Sequence, residues 1–253
     1  MRFTSLGSGS GGNATLVEGG ATTLLLDCGF SARELERRLL LVGAAAEELD
    51  GILVTHEHQD HIRGVGPLAR RYDIPVWITH GTHRLNRCGR LPQLQLIHSY
   101  QHAFTIGDIE VQPFPIPHDA KEPVQYLFHC AGAKLGVLTD AGCVTPHILQ
   151  MLEGCDALLL ECNHDTEMLR DGPYSFSLQQ RVQGGLGHLS NLQAAQLLEQ
   201  LAHGRLKHLV AAHLSEKNNH PEKVQEALFS TVPEIEGRLT ITCQDQVSDW
   251  FEI

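Results

Sequence analysis

Six times along the chain an apolar run ends on a residue type suited to metal or proton chemistry: Asp27, His56, His118, Asp140, Glu161 and His213. The runs ahead of them, such as Thr22-Thr23-Leu24-Leu25-Leu26, Gly51-Ile52-Leu53-Val54-Thr55 and Leu209-Val210-Ala211-Ala212, are short, uninterrupted and apolar, which is how a buried strand reads. Repeated strand ends of this chemistry imply one polar site along one rim of a sheet arrangement.

The rest of the chain fits around these strands. Further strands are expected at 2–6, 15–18, 95–98, 109–115, 124–130, 135–139, 157–160 and 239–242, and one starts near Val76. Ser31 with Glu34 forms a capping-box pattern, and Phe30 and Leu35 are placed as a hydrophobic staple, so a helix runs to about Val42. A second helix starts near Ile62. Thr145-Pro146 opens a helix to about Leu152, Ser190 with Gln193 opens one over 194–201, and Pro221 opens the last. No linker, repeat or low-complexity segment splits the chain, so residues 1–253 read as one domain of two sheets packed face to face with helices outside.

Composition narrows the function. With 19 basic and 30 acidic side chains the formal charge is −11, which argues against a broad basic face for duplex nucleic acid. A local site is still open, since two divalent cations would return roughly four positive charges to a cleft. Many of the 16 His stand beside Asp, Glu or Gly and outside apolar periodic runs, a bias towards metal chemistry. Seven Cys form no C-x-x-C pair, which fits a reducing compartment. No cationic start with an apolar stretch and no run of about 18 apolar residues appears, so the expectation is a cytosolic protein without a membrane span.

The strongest local signal is His56-Glu57-His58-Gln59-Asp60-His61. In an extended segment His56, His58 and Asp60 fall on one side, while His61 at the turn into a helix faces a second ion. Imidazole and carboxylate are the ligands that zinc accepts at about 2.0–2.2 Å. Other residues leave two readings each. The loop Gly7-Ser8-Gly9-Ser10-Gly11-Gly12-Asn13 is either a flexible turn or a backbone cradle for an oxyanion or phosphate. His164 and Asp165 are an acid/base pair or a polar turn, and Asn218 and Asn219 touch a phosphate or cap the helix at Pro221. Cys28 and Cys162 read as small buried thiols. His80, His83, His98, His102, His129, His147, His203, His208 and His220 read as surface or satisfied histidines.

The H-x-H-x-D-H segment after an apolar strand resembles the metallo-β-lactamase superfamily, and the resemblance extends over nearly the whole chain. Asp27 matches the aspartate that supports the metal-binding loop, His118 the third metal position, Asp140 the bridging aspartate and His213 the last ligand. The resemblance implies an αββα metallo-β-lactamase sandwich. It also implies one ion on His56, His58, His118 and Asp140, and another on Asp60, His61, Asp140 and His213. The opening Phe3-Thr4-Ser5-Leu6-Gly7-Ser8-Gly9-Ser10 is similar to the YycJ/WalJ-type branch near ribonuclease Z. So are Glu161-Cys162-Asn163-His164-Asp165, Gly187-His188-Leu189-Ser190-Asn191 and His213-Leu214-Ser215-Glu216-Lys217-Asn218-Asn219. The chain departs from its relatives at Gln125, where Gly is common, a change expected to alter local packing only.

In the ribonuclease Z relatives a Glu and a His matching Glu161 and His188 assist catalysis, so Asp60, Glu161 and His188 are the expected catalytic residues. The resemblance implies a two-metal phosphodiesterase on nucleic acid, in the manner of a DNA exonuclease, using zinc or manganese, with iron also compatible. The competing reading is hydrolysis of a small ester, thioester, lactone or cyclic phosphodiester by the same ions. A nuclease needs Arg or Lys beside the metals, and Arg84, Arg87, Arg90 and Lys217 are the candidates. A non-catalytic scaffold is the third reading, against which the intact ligand set speaks. Oligomeric state is not legible from the sequence.

Overall fold

The computed structural model describes residues 1–201 and 204–253; His203 lies outside the described residues. Among the described residues the strands are β1 (Arg2–Gly7), β2 (Ala14–Gly19), β3 (Thr22–Leu26), β4 (Gly51–Leu53), β5 (Pro75–Thr79), β6 (Gln93–Ile97), β7 (Phe104–Ile106), β8 (Ile109–Pro115), β9 (Val124–Cys130), β10 (Ala133–Leu138), β11 (Ala157–Glu161), β12 (His208–Ala212), β13 (Leu239–Ile241) and β14 (Phe251–Glu252). They make two seven-stranded sheets, ordered β14-β1-β2-β3-β4-β5-β6 and β13-β12-β11-β10-β9-β8-β7. Both are mixed: β1 to β3 and β7 to β9 pair antiparallel, whereas β3 to β6 and β10 to β13 pair parallel. Among the described residues no helix is long and apolar enough to cross a membrane.

The chain divides into two compact units. The first comprises Met1–Pro115, Ala120–Ala133 and Cys243–Glu252; the second comprises Ile116–Asp119 and Lys134–Thr242 with Ile253. In the first, Leu25, Leu35, Leu39, Ile52 and Leu68 share one buried cluster, each contributing roughly 1.5–3 kcal/mol by leaving water. Leu35 and Leu39 belong to the helix Ala32–Leu41, whose N-cap Ser31 accepts from the Glu34 amide. The Glu34 carboxylate does not complete the box, because it is engaged by Arg37 and Arg38. Arg38 is itself buried, donating to the carbonyls of Leu6 and Gln244, which ties β1 to the chain's last segment.

Parallel pairing places strand ends together within each unit. Leu26 of β3 pairs with Leu53 of β4, so Asp27 and the segment after β4 emerge at one edge. In the second unit Leu138 pairs with Leu160, and Glu161 with Ala212, so Asp140, Glu161 and His213 emerge side by side. Polar residues at the carboxyl ends of parallel strands are where α/β folds keep their sites. The backbone turns sharply there: Asp27, Asp140 and His213 have φ of 59°, 58° and 57°, left-handed values that side chains other than glycine seldom take.

Candidate metal centre

In the first unit the motif is not extended throughout. His58 caps the short helix Gln59–Ile62 with ψ of 148°, and Asp60 and His61 sit inside that helix. The alternation expected to align His56, His58 and Asp60 therefore stops at His58, because Gln59 onward has entered a helical turn. The turn still brings the rings close: His56 lies 4.6 Å from His58 and 4.3 Å from His61, centroid to centroid. The Asp60 carboxylate is 3.5 Å from His61 Nε2.

Asp27 organises this group from beneath. Its oxygens accept from the Thr55 amide at 2.9 Å, the Thr55 hydroxyl at 2.8 Å and His61 Nδ1 at 2.7 Å. The Thr55 oxygen in turn lies 2.9 Å from His56 Nδ1. Burial raises the Asp27 carboxyl above its ordinary range, and the His61 charge and these hydrogen bonds only partly offset it.

Two residues here escaped the sequence reading. Asn13 Nδ2 lies 3.1 Å from His61 Nε2 and 3.4 Å from Asp60 Oδ2. Glu57 turns away from the other motif side chains, accepting from the Lys121 amide at 2.8 Å and the Thr82 hydroxyl at 3.3 Å. Asn13 belongs to a loop whose interest was seen, but its long-range partner had no local signal.

The loop at 7–13 is a turn, as the first of its two readings has it, and not an open cradle. The Gly9 amide is taken by Asn13 Oδ1, and the amides of Gly11 and Gly12 by Gln244 Oε1 at 2.6 and 3.2 Å. The N–H groups that would make a cradle are already satisfied by side chains, and the same bonds fix the turn.

The second unit holds a cluster of its own. Asp140, Glu161, His188 and His213 offer one ligand-type atom each within 4.8 Å of one another. Glu161 is fully buried and is the hub. Its Oε1 accepts from His188 Nδ1 at 2.8 Å and His213 Nδ1 at 3.0 Å; its Oε2 accepts from the amides of Ala141 at 3.0 Å and Leu189 at 3.1 Å. Burial pushes this carboxyl up, but the His188 charge and the two imidazole bonds outweigh burial and hold it at about 2. For His188 burial favours the neutral ring, and Glu161 reverses that, raising its pKa.

His188 reaches this place through an unforeseen helix, Phe176–Val182: its amide donates to the Val182 carbonyl at 2.8 Å. The adjoining Gly187 carbonyl accepts from His118 Nδ1 at 3.1 Å. Asn163 donates to the His213 carbonyl at 2.9 Å and fixes the turn after β12.

The donor set fits divalent ions. In His56, His61, His118 and His213 the Nδ1 atom faces an oxygen partner, which leaves Nε2 to carry the lone pair. A histidine held through Nδ1 by carboxylate or carbonyl is the arrangement that orients metal ligands. Neutral imidazole with carboxylate is a set that zinc, manganese or iron accepts.

The remaining candidates resolve into structure. Asp165 caps the helix Thr166–Asp171, accepting from the amides of Glu167 and Met168. His164 is buried, and burial lowers its pKa to about 4. The cap expected for the helix Pro221–Thr231 is absent: Asn219 pairs reciprocally with Asn191, Asn218 bonds Ser215, and His220 occupies the cap position without a side-chain bond. Cys28 and Cys162 are buried and burial raises both thiols. Gln125 is buried within β9. Of the other histidines in the described residues none is buried.

A family described as a beta-lactamase superfamily domain matches residues 22–213. The chain is 38% identical over 237 residues to a Bacillus anthracis protein named exodeoxyribonuclease YycJ, covering 92% of this chain and 90% of that one. It is 36% identical over 228 residues to exodeoxyribonuclease WalJ of Streptococcus pneumoniae, covering 88% and 84%. Among solved structures, the metallo-β-lactamase fold protein YhfI from Bacillus subtilis matches with a TM-score of 0.74 at 18% identity, covering 98% of each chain, and shares the fold. With sheets, strand-end residues and near full-length relatives in agreement, the chain belongs to the metallo-β-lactamase superfamily, in its YycJ/WalJ branch, and is a metal-dependent hydrolase.

Proposed function

We propose that the chain is a two-ion phosphodiesterase that cuts DNA from an end, working in the cytoplasm as one domain spanning residues 1–253. The exodeoxyribonuclease names of its two near full-length relatives support the substrate class. The observation that carries the chemistry is the Glu161–His188 contact at 2.8 Å beside Asp140 and His213. We assign one ion to His56, His58, His118 and Asp140, and the other to Asp60, His61, Asp140 and His213, following the family motif. Zinc or manganese suits these ligands, and iron is compatible.

When bound, the ions supply an activated water and positive charge at the bond under attack. The chain's own residues do the rest. Asp27 and Glu161 hold the rings of His61 and His213 by their Nδ1 atoms, so each presents Nε2. Glu161 stabilises charge on His188, whose Nε2 proton then serves the leaving oxygen. Asp60 contributes its carboxylate both as a ligand and to the charge that orients the attack.

Elemental analysis of the loaded protein should find two ions per chain. A panel of single-stranded, duplex and 5′-phosphorylated DNA, RNA and bis-p-nitrophenyl phosphate, with added Mn²⁺ or Zn²⁺, tests the activity. The expected result is nucleotide release from DNA ends that a chelator abolishes. Turnover of a lactone or thioester with no cleavage of any nucleic acid would overturn the proposal.

A further inference from the structure

Arg84, Arg87 and Arg90 stand three residues apart, all exposed, Arg84 at the end of the helix His80–Arg84 and the other two on the loop that follows, and among the described residues none has an acidic partner. The chain as a whole is acidic, with a formal charge of −11. Arg37, Arg38, Arg71, Arg170, Arg181 and Arg205 each meet a carboxylate. Acids are plentiful, and these three neighbouring cations meet none of them among the described residues.

The loop is built to hold its shape. Asn86 and Gly89 take left-handed φ of 50° and 65°, and the amides of Asn86 and Gly89 close turns onto His83 and Asn86. Cys88 is buried, and Arg70 Nη1 donates to the carbonyls of both Cys88 and Arg90 at 2.9 Å. Gly66 lets the loop lie against the helix Val65–Tyr72, since a Cβ there would come within 1.9 Å of the Cys88 oxygen.

The loop is also tied to the metal motif. Arg87 Nη1 donates to the carbonyl of Glu57, the residue between His56 and His58, at 3.1 Å. A guanidinium carries five N–H donors, so this bond leaves most of Arg87 available. Planar, permanently charged forks without a carboxylate suit phosphate oxygens.

We propose that Arg84, Arg87 and Arg90 form a strip that grips the backbone phosphates of the nucleic-acid strand whose end reaches the metal centre. The inference rests on the nuclease reading and adds how the strand is held: by its charge and not by its bases. An acidic protein thereby binds a polyanion through one basic segment, Arg84 to Arg90.

The test is the salt dependence of binding. The metal-loaded full chain is titrated into a fluorescein-labelled, phosphorothioate-linked single-stranded oligonucleotide that resists hydrolysis, and anisotropy is read over a KCl series. Each phosphate contact on a single strand contributes about 0.7 to the slope of log K against log salt. The variant R84Q/R87Q/R90Q should bind more weakly, with a slope shallower by about 2, while Lys at all three positions should keep most of the slope. R84Q alone, at a side chain with no hydrogen bond to disturb, should lose about 0.7. A folded, metal-replete triple variant with an unchanged slope overturns the strip while leaving the nuclease reading intact, provided the wild type cuts DNA. A wild type that neither binds nor cuts DNA overturns both.

Discussion

Both oxygens of Glu161 are occupied within the chain, one by two imidazoles and the other by two backbone amides. A carboxylate so fully used orients and charges its neighbours; it has little left to offer an ion. His188 differs, with its side chain 21% exposed while its Nδ1 is anchored. His188→Ala should therefore keep both ions and lower kcat on DNA by roughly 10²- to 10⁴-fold, the range of a lost general acid. Glu161→Gln should move kcat in the same direction. A p-nitrophenolate leaving group should restore much of the His188 loss, and departure of an ion from the Ala variant would instead make His188 a ligand. His164 gives a pH signature of its own. Burial holds it at about 4 against an ordinary 6.5, so the unfolded chain takes up a proton between those values and the folded chain does not. That share of stability is present above pH 6.5 and is lost as pH falls towards 4. Melting temperature against pH should be flatter in this window for His164→Gln; an identical profile would assign the slope to other groups.

Among the glycines, the position with least room for a side chain lies under the H-x-H-x-D-H segment. A Cβ on Gly29 would stand 1.7 Å from the Asp60 carbonyl oxygen, and the Gly29 amide already donates to the carbonyl of Asn13 at 2.9 Å. Gly29→Ala must push the helix Gln59–Ile62 aside, so it should lower the ion content and cost stability on the order of 1–3 kcal/mol, as overpacking does. Full ion content at an unchanged melting temperature would show that the helix yields freely. Nothing near position 29 in the sequence announces that contact. What was legible was periodic or capped: Ser190 with Gln193 does open the helix Asn191–Gln200, and the apolar run 157–160 is β11. What was missed lacked such a pattern. The strand Phe104–Ile106, the helix Phe176–Val182 and the pair Phe251–Glu252 are short, and β14 is defined by pairing with β1 at the other end of the chain. The loop at 7–13 was ambiguous for the same reason, since Gln244 closes it from more than two hundred residues away.

At the scale of the whole molecule, the strand-end residues and the H-x-H-x-D-H segment were enough to reach the family, because metal chemistry concentrates its requirements in a few side chains at fixed places. The roles proposed for Glu161 and His188 came through resemblance, and their hydrogen bonds are what supports them. The left-handed turns at Asp27, Asp140 and His213 bear on how such a protein can change over generations. A side chain there costs about 1–2 kcal/mol that glycine would not incur. At Asp140 the carboxylate also crowds the charge of Glu161. Asp140→Gly and Asp140→Ala both remove the proposed bridge between ions, yet only the first relieves the backbone. The Gly variant should therefore unfold at about 1 kcal/mol higher free energy than the Ala variant in chelator, by denaturant titration; equal midpoints would mean that the turn is unstrained. If Asp140 does bridge the ions, glycine at this corner would make a sturdier chain that has lost the proposed bridge, so the weaker backbone would be the cost of keeping the carboxylate there.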